Sequence, residues 1–321
     1  MKMLEYESKY WNNNINLVAG IDEAGRGPLA GPVVASCVIL KPFTEILGVN
    51  DSKKLTENKR NELFEIIKKK ALDVSVGIAH EDEIDNLNIL QATFLAMKRA
   101  IGNLKYKPEQ LLIDGPYSNI KLFKVENIIN GDNKSLSIAA ASIIAKVTRD
   151  QIMKEYDLIF PDYKFSNNKG YGTKIHIQAL KDYKATPIHR KSFKIVKSYL
   201  PTYSFIKEND KFKTLGRQII ATNFIKKNYI QFSSKRFANH KNKYFDYVYS
   251  NLNEIIFIKA LVSFEEYETP KINDIEVYMD FIKNKILEKE SKKTITFNVI
   301  SIEFKYKKKP KINKIYSEKI Y

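Results

Sequence analysis

An apolar run, Leu17 to Ile21, ends in two adjacent carboxylates, Asp22 and Glu23, and passes at once into Ala24-Gly25-Arg26-Gly27-Pro28-Leu29-Ala30-Gly31-Pro32. Short apolar runs bounded by Gly and Pro read as buried strands. Neighbouring anionic side chains repel each other, so a cation normally accompanies them. A glycine-rich turn beside them lets a backbone approach another group closely, with phosphate the usual candidate. A strand that delivers carboxylates into such a turn points to an α/β sheet with a phosphate-processing site at its edge.

Further segments fit that sheet. Val33–Leu40 and Leu72–Ala79 read as strands, and Leu111–Ile113 as a short buried strand delivering Asp114. Thr56 opens a helix, and Glu81 to Ile101 is helical with a break near Asn86–Asn88. Ser135 to about Phe160 is a long helix whose first turns hold Ala139-Ala140-Ala141-Ser142, small residues that imply close packing. Asp132 stands just before it, in Gly131-Asp132-Asn133-Lys134-Ser135. Taken singly, each Asp reads as a solvated or capping residue, and Asp132 in particular fits a helix cap. Taken together, Asp22, Glu23, Asp114 and Asp132 provide hard oxygen ligands that suit Mg²⁺ or Mn²⁺ rather than zinc or copper. Four carboxylates can hold two such ions for an in-line phosphoryl displacement.

Charge agrees with a polyanionic partner. The 321 residues carry a formal net charge of +17. Residues 201–321 hold 24 Lys and Arg against 14 Asp and Glu, so the shorter part carries the larger share. A lysine-rich composition by itself also fits a chain with no nucleic-acid role. The single cysteine, Cys37, excludes an internal disulfide and a cysteine zinc cluster, and its apolar surroundings make it a core residue. The chain opens with no signal peptide, and no apolar run approaches a membrane span, so a cytoplasmic protein is expected. His80, His176, His189 and His240 read as isolated hydrogen-bonding residues rather than ligands.

In combination these motifs resemble the ribonuclease HII family. The resemblance rests on Gly20–Pro32, Asp51-Ser52-Lys53-Lys54-Leu55, Ile113-Asp114-Gly115, Gly131-Asp132 with Ser137 to Asp150, Lys169-Gly170-Tyr171-Gly172-Thr173, and Thr186-Pro187-Ile188-His189-Arg190. It covers about residues 14–200, in order. It implies a ribonuclease H-like α/β fold, a mixed sheet flanked by helices. It implies an endonuclease that cuts the RNA strand of RNA–DNA hybrids, and on the 5′ side of a single ribonucleotide embedded in duplex DNA, leaving 3′-hydroxyl and 5′-phosphate ends. Carried over by residue, Asp22, Glu23, Asp114 and Asp132 are the metal-binding carboxylates for two divalent ions, Mn²⁺ or Mg²⁺. Gly25-Arg26-Gly27 matches the loop that reads the RNA–DNA junction, and Tyr171 the tyrosine that packs on the sugar near the 2′-hydroxyl. The family resemblance also implies a monomer.

These roles have a physical basis of their own. Telling RNA from DNA requires detecting a 2′-hydroxyl in a shallow groove, which glycine amides can reach unobstructed. Ser52, Lys53 and Lys54 suit backbone phosphates, as do Lys146 and Arg149 on the long helix, for which a solvated-face reading stands equally. Asp150 reads as a partner of Arg149 or of a nearby turn.

The expected organisation is a catalytic domain over residues 1–200, a linker over 201–214 and a basic C-terminal domain over 215–321. In the last part Leu215–Ile230 reads as a helix, Phe245–Tyr249 and Ile255–Val262 as strands, Asp274–Leu287 as a helix, Thr294–Phe304 as a strand, and Lys305–Tyr321 as a loose tail. It resembles the YraN family of small nuclease-like proteins, which implies a restriction-endonuclease-like α/β fold. The acidic signature is broken: Tyr244 stands where a glutamate is expected before Asp246, and Lys259-Ala260-Leu261 where Glu-x-Lys is expected. A catalytically degenerate domain follows, either nucleic-acid-binding or purely structural. For the whole chain the alternative reading is a non-catalytic nucleic-acid-binding protein, against which the four carboxylates argue, because acidic clusters repel phosphate unless a metal is present.

Overall fold

The computed structural model describes the chain except for residues 1, 50, 51, 53, 54, 209–210, 232–244, 265–271, 287–292, 306–309 and 320–321. The chain forms two compact units. One comprises residues up to Lys154 with Tyr163–Tyr183 and Ile188–Tyr199; the other comprises Glu155–Asp162, Lys184–Pro187 and the residues from Leu200 onward.

Up to residue 199 the elements are α1 (Glu5–Trp11), β1 (Val18–Ala24), β2 (Val33–Ile39), α2 (Glu57–Lys70), β3 (Asp73–Ala79), α3 (Glu81–Leu87), α4 (Ile89–Gly102), β4 (Gln110–Asp114), β5 (Val125–Ile128), α5 (Leu136–Ile159), α6 (Phe165–Asn168), α7 (Lys174–Tyr183) and α8 (Lys194–Lys197). Among the described residues the strands make one five-stranded sheet in the order β3-β2-β1-β4-β5. β1 pairs antiparallel with β2 and parallel with β4, so the sheet is mixed, as expected. Its strands are apolar on both faces because both are covered. On one face Val18, Val38 and Leu112 pack with α5 residues such as Ile138 and Ile144; on the other Ile21, Cys37 and Ile113 pack with α4 residues such as Phe94 and Met97.

Two details fix the start of α5, one against β1 and one against α1. A Cβ on Gly20 would lie 2.1 Å from the Ser137 carbonyl carbon, so strand and helix backbones touch there and only glycine fits. Glu7 of α1 is fully buried, and its Oε1 accepts from Ser135 Oγ (2.5 Å), Ser137 N (2.8 Å) and Ser137 Oγ (2.6 Å). A carboxylate at a helix N-terminus satisfies orphan N–H groups and opposes the positive end of the helix dipole. Glu7→Ala is expected to lower the unfolding free energy by about 2–4 kcal/mol, since it orphans several buried donors at once; urea denaturation reads this directly.

Asn88 makes the expected break: its backbone is left-handed (φ 70°), and its side chain caps α4 by accepting from Leu90 N and Gln91 N. One expectation shifts, and two elements appear that the sequence did not announce. β1 runs through Ala24, so Asp22 and Glu23 lie within the strand rather than after it. α1 and β5 carry no strong sequence periodicity and are supplied by tertiary packing.

In the second unit the elements are α9 (Tyr203–Glu208), α10 (Phe212–Lys226), β6 (Ile230–Gln231), β7 (Tyr247–Ser250), β8 (Glu254–Phe264), α11 (Ile272–Ile286), β9 (Thr294–Phe304) and β10 (Lys311–Lys319). The described strands form a sheet in the order β10-β9-β8-β7-β6, with β8 and β9 parallel. Phe257, Ile295 and Phe297 form its core with Met279 and Ile282 of α11. Residues 203–208, in the stretch expected as a linker, are helical. Much of the expected loose tail is an edge strand: β10 pairs with β9 from Lys311↔Glu303 to Lys319↔Thr296. The opposed charges at Lys311 and Glu303 and the packing of Tyr316 against Phe297 outweigh the solubility of a lysine-rich run. Position 244 lies outside the described residues. No described helix is long and apolar enough to cross a membrane.

Candidate active site

The parallel register Ile21↔Ile113 brings the next residues of β1 and β4, Asp22 and Asp114, out side by side at the same sheet edge. Asp22 is only 5% exposed. Its Oδ1 accepts from Glu23 N at 2.7 Å, and Ser142 on α5 donates to the same carboxyl group. Burial first, then the charges of Glu23 and Asp114, push the Asp22 carboxyl well above its ordinary range. Ser142 Oγ also lies 2.9 Å from Ser52 Oγ, so buried Ser52 stands one hydroxyl away from Asp22.

The other two carboxylates are placed by short-range bonds. Asp114 Oδ1 accepts from Gly131 N at 2.6 Å, which ties the end of β4 to the turn carrying Asp132. Asp132 is buried and its Oδ1 accepts from Asn133 Nδ2 at 2.8 Å. Glu23 Oε1 accepts from the exposed Arg26 guanidinium at 3.1 Å. Asp22 therefore feels the charges of Glu23 and Asp114, and Asp132 follows the residue bonded to Asp114. Among the described residues no three His, Cys, Asp or Glu side chains stand close enough to cage an ion. The donor set still fits a hard divalent cation: all four groups are carboxylates, and the burial and repulsion that raise the Asp22 pKa are what a bound cation offsets.

The loop after β1 is organised from behind by two buried arginines. Arg149 is 1% exposed; it donates through Nε to Pro32 O (2.9 Å), through Nη2 to Ala30 O (3.1 Å) and through Nη1 to Lys169 O (2.9 Å). Arg190, equally buried, donates to Gly31 O (2.9 Å), Arg26 O (2.8 Å), Gly25 O (2.5 Å) and Pro32 O (3.3 Å). Gly25 adopts φ +98°, and a Cβ there would lie 2.0 Å from Arg149 Nε, so its lack of a side chain admits the guanidinium. Burial lowers the Arg149 pKa to about 10 and that of Arg190 to about 9, with buried Glu81 opposing the fall in both. With the Gly25 and Arg26 carbonyls held inward, Arg26 and Gly27 remain exposed on the outer side. Tyr171 is 45% exposed and lies against this loop: a Cβ on Gly27 would sit 3.6 Å from Tyr171 Cε1.

Three expectations change here. Arg149 is not a phosphate-facing residue; it is buried and structural. Asp150 pairs with Lys146 (Nζ to Oδ1, 2.7 Å), one turn away on α5, rather than with Arg149. His176 and His189 are not isolated: their Nε2 atoms lie 2.9 Å apart. Lys53 and Lys54 lie outside the described residues. Arg190 and Ser142 received no role from sequence reasoning, because no periodicity or spacing distinguishes a buried, carbonyl-bonded side chain from a surface one.

Comparison with known proteins gives the following. Residues 19–196 match the family model described as Ribonuclease HII. A protein named Ribonuclease HII from Clostridioides difficile (strain 630) is 56% identical over 188 residues, 59% of this chain and 74% of that one. Another of that name, from Caldanaerobacter subterraneus subsp. tengcongensis, is 54% identical over 192 residues, 60% of this chain and 80% of that one. Among solved structures, the ribonuclease H2 from Pyrococcus horikoshii OT3 is 26% identical with a TM-score of 0.48, covering 57% of this chain and 96% of that one.

Proposed function

This chain belongs to the ribonuclease HII family, endonucleases acting on the RNA of RNA–DNA hybrids, and on that footing we propose that it also incises on the 5′ side of single ribonucleotides embedded in duplex DNA, leaving 3′-hydroxyl and 5′-phosphate ends. The observation that carries the reading is the pairing of β1 with β4, which sets Asp22 beside Asp114, where the charges of Asp114 and Glu23 both act on it. Asp22, Glu23, Asp114 and Asp132 are the residues that would hold the metal. Two divalent ions, Mn²⁺ or Mg²⁺, supply activation of the attacking water and neutralisation of the leaving oxygen when bound.

The remaining steps fall to the chain. Ser142 orients the Asp22 carboxyl. The amides of Gly25 and Gly27 detect the 2′-hydroxyl, and the exposed Tyr171 ring offers a flat surface to the adjoining sugar. Ser52, Lys53, Lys54 and Lys146 position the duplex through its phosphates, which adds affinity without sequence preference. Lys146 exchanges Asp150 for phosphate in doing so. The chain acts as a monomer.

The decisive assay is digestion of a labelled duplex containing one ribonucleotide, with Mn²⁺ or Mg²⁺ and with chelator. Metal-dependent incision to a 5′-phosphate product is expected; an uncut duplex alongside a cut hybrid ends the single-ribonucleotide reading. Tyr171→Ala is expected to lower kcat/KM on that duplex by about 10-fold, the cost of losing one stacking surface, with a smaller effect on long hybrids. Equal rates for variant and wild type on both substrates would remove the residue's proposed role.

We read residues 1–200 as the catalytic domain, 201–214 as a linker and 215–321 as a non-catalytic basic domain. In support, Arg217 Nη2 lies 3.1 Å from Asp246 Oδ1, and Asp246 Oδ2 accepts from Ala260 N at 2.8 Å, so this carboxylate is engaged by the chain itself. Lys311, Lys314 and Lys319 are exposed on β10. Replacing these three with Gln is expected to flatten the plot of log K against log salt for duplex binding by about 2–3. An unchanged slope assigns them to edge protection alone.

A further inference from the structure

The carbonyl of Tyr171 accepts two hydrogen bonds, from Thr173 N at 2.8 Å and from His176 Nδ1 at 2.9 Å. A carbonyl only accepts, so Nδ1 of His176 carries the proton. Burial lowers the pKa of His176 and favours its neutral form, which leaves Nε2 as an acceptor. His189 Nε2, 2.9 Å away, is then the donor. A single tautomer assignment thus satisfies the whole line from His189 through His176 to the Tyr171 carbonyl. Both imidazoles are fully buried, and the rings of Tyr163 and Phe165 pack on each of them at centroid distances of 5.2 to 6.2 Å, which excludes water from the line.

The other end of the line reaches the loop after β1. His189 forms an antiparallel bridge with Ala30, and its neighbour Arg190 holds the carbonyls of Gly25 and Arg26. The two histidines therefore connect the turn that carries Tyr171 to the residue that braces Gly25-Arg26-Gly27. We propose that His176 and His189 are positioning residues that set the gap between the Tyr171 ring and the glycine loop, and so set selectivity for a ribonucleotide junction over a continuous hybrid. The inference rests on the reading that this ring and this loop contact the sugar. A sugar wedged between two surfaces is discriminated by their spacing, and neither surface has a covalent link to hold it.

The test compares kcat/KM on a single-ribonucleotide duplex with kcat/KM on a long hybrid, using the full chain. His189→Phe fills the space but removes the donor, and a fall in the ratio by about 10-fold or more is expected, in the range found for residues that orient a reacting group at second hand. His189→Gln returns an N–H donor and is expected to restore the ratio to within about 2-fold of wild type, because the hydrogen bond is remade. A purely structural role lowers both substrates together and leaves the ratio unchanged, and that result would overturn the proposal. Should His189→Phe fail to fold, His176 decides. His176→Asn keeps a donor near the Nδ1 position, whereas His176→Gln places its amide near Nε2 and releases Tyr171, so the Asn variant is expected to keep the higher ratio. Equal ratios in those two variants also overturn the proposal. If wild type shows the junction preference and Tyr171→Ala retains it, the reading of Tyr171 has failed instead; if Tyr171→Ala loses it and the histidine variants do not, only the present inference has.

Discussion

Asp22→Asn is expected to reduce cleavage by at least roughly 100-fold, beyond the upper end of what changes behind a metal ligand cost, and at the same time to raise the melting temperature of the metal-free protein. The two effects have one origin. Buried beside Glu23 and Asp114, the Asp22 carboxyl has a folded-state pKa well above its ordinary range. A carboxyl raised in this way binds more protons folded than unfolded, so stability is greatest below the unfolded value of about 3.9 and is lost as pH rises toward the raised folded value. At neutral pH, without metal, the ionised form is the unfavourable one. An amide of the same shape removes the charge and its repulsion, and the gain is expected to fade as pH is lowered toward 4. Divalent cation reverses the order: wild type is stabilised by binding, and the Asn variant is stabilised less. Thermal melts at pH 4 and pH 7, with Mn²⁺ or Mg²⁺ and with chelator, together with the cleavage assay, read all of this. Retained activity would refute the metal assignment. A lower melting temperature of the Asn variant in chelator at pH 7 would refute the account of the site's electrostatics.

Arg190→Leu is expected to cost about 3–5 kcal/mol of stability and to impair junction cleavage more than hybrid binding. The side chain serves four carbonyls, on Gly25, Arg26, Gly31 and Pro32. Removing it leaves buried acceptors unmet, and each such group carries about 1–3 kcal/mol of desolvation penalty before relaxation. Arg190→Lys is expected to be nearly as damaging, because a point ammonium on a flexible stem does not reproduce a planar fork of donors. By contrast, Arg26→Ala is expected to cost less than about 1 kcal/mol, since the Arg26 side chain is exposed and makes a single 3.1 Å pair with the half-buried Glu23. Chemical denaturation of the three variants makes the comparison. A small effect for Arg190→Leu would mean that the loop carbonyls find water or other donors, and that the loop is not held from behind.

Arg26, Arg149 and Arg190 also show how far the sequence could be read. All three stand in the motifs that resemble the family, and nothing in those motifs marks which of them is buried. Arg26 lies on the surface beside Glu23, while Arg149 and Arg190 are buried and hold the loop on which Arg26 sits. Burial of a charged side chain depends on carbonyls contributed by segments far apart in the chain, such as Pro32 for Arg149 across 117 positions. No local pattern carries that information. The same holds for His176 and His189, read singly as separate residues and found in contact. Elements with a strong local signal were legible: the break at Asn88, the long small-residue helix α5, and the apolar strands β2 and β4. β10 was missed because its lysines mask a strand that only pairing with β9 stabilises.

By itself the sequence determined the mixed α/β character of the first unit, the family, and that Asp114 closes a buried strand, because hydrophobic period, glycine placement and ordered motifs are written along the chain. Only the tertiary structure decided that Asp22 is buried against Glu23 and Asp114, that two arginines hold the carbonyls of the loop after β1, and that His189 meets His176, which bonds the Tyr171 carbonyl. These are matters of desolvation and of donors meeting acceptors across long sequence separations, and such energies exist only once the chain has brought those groups together.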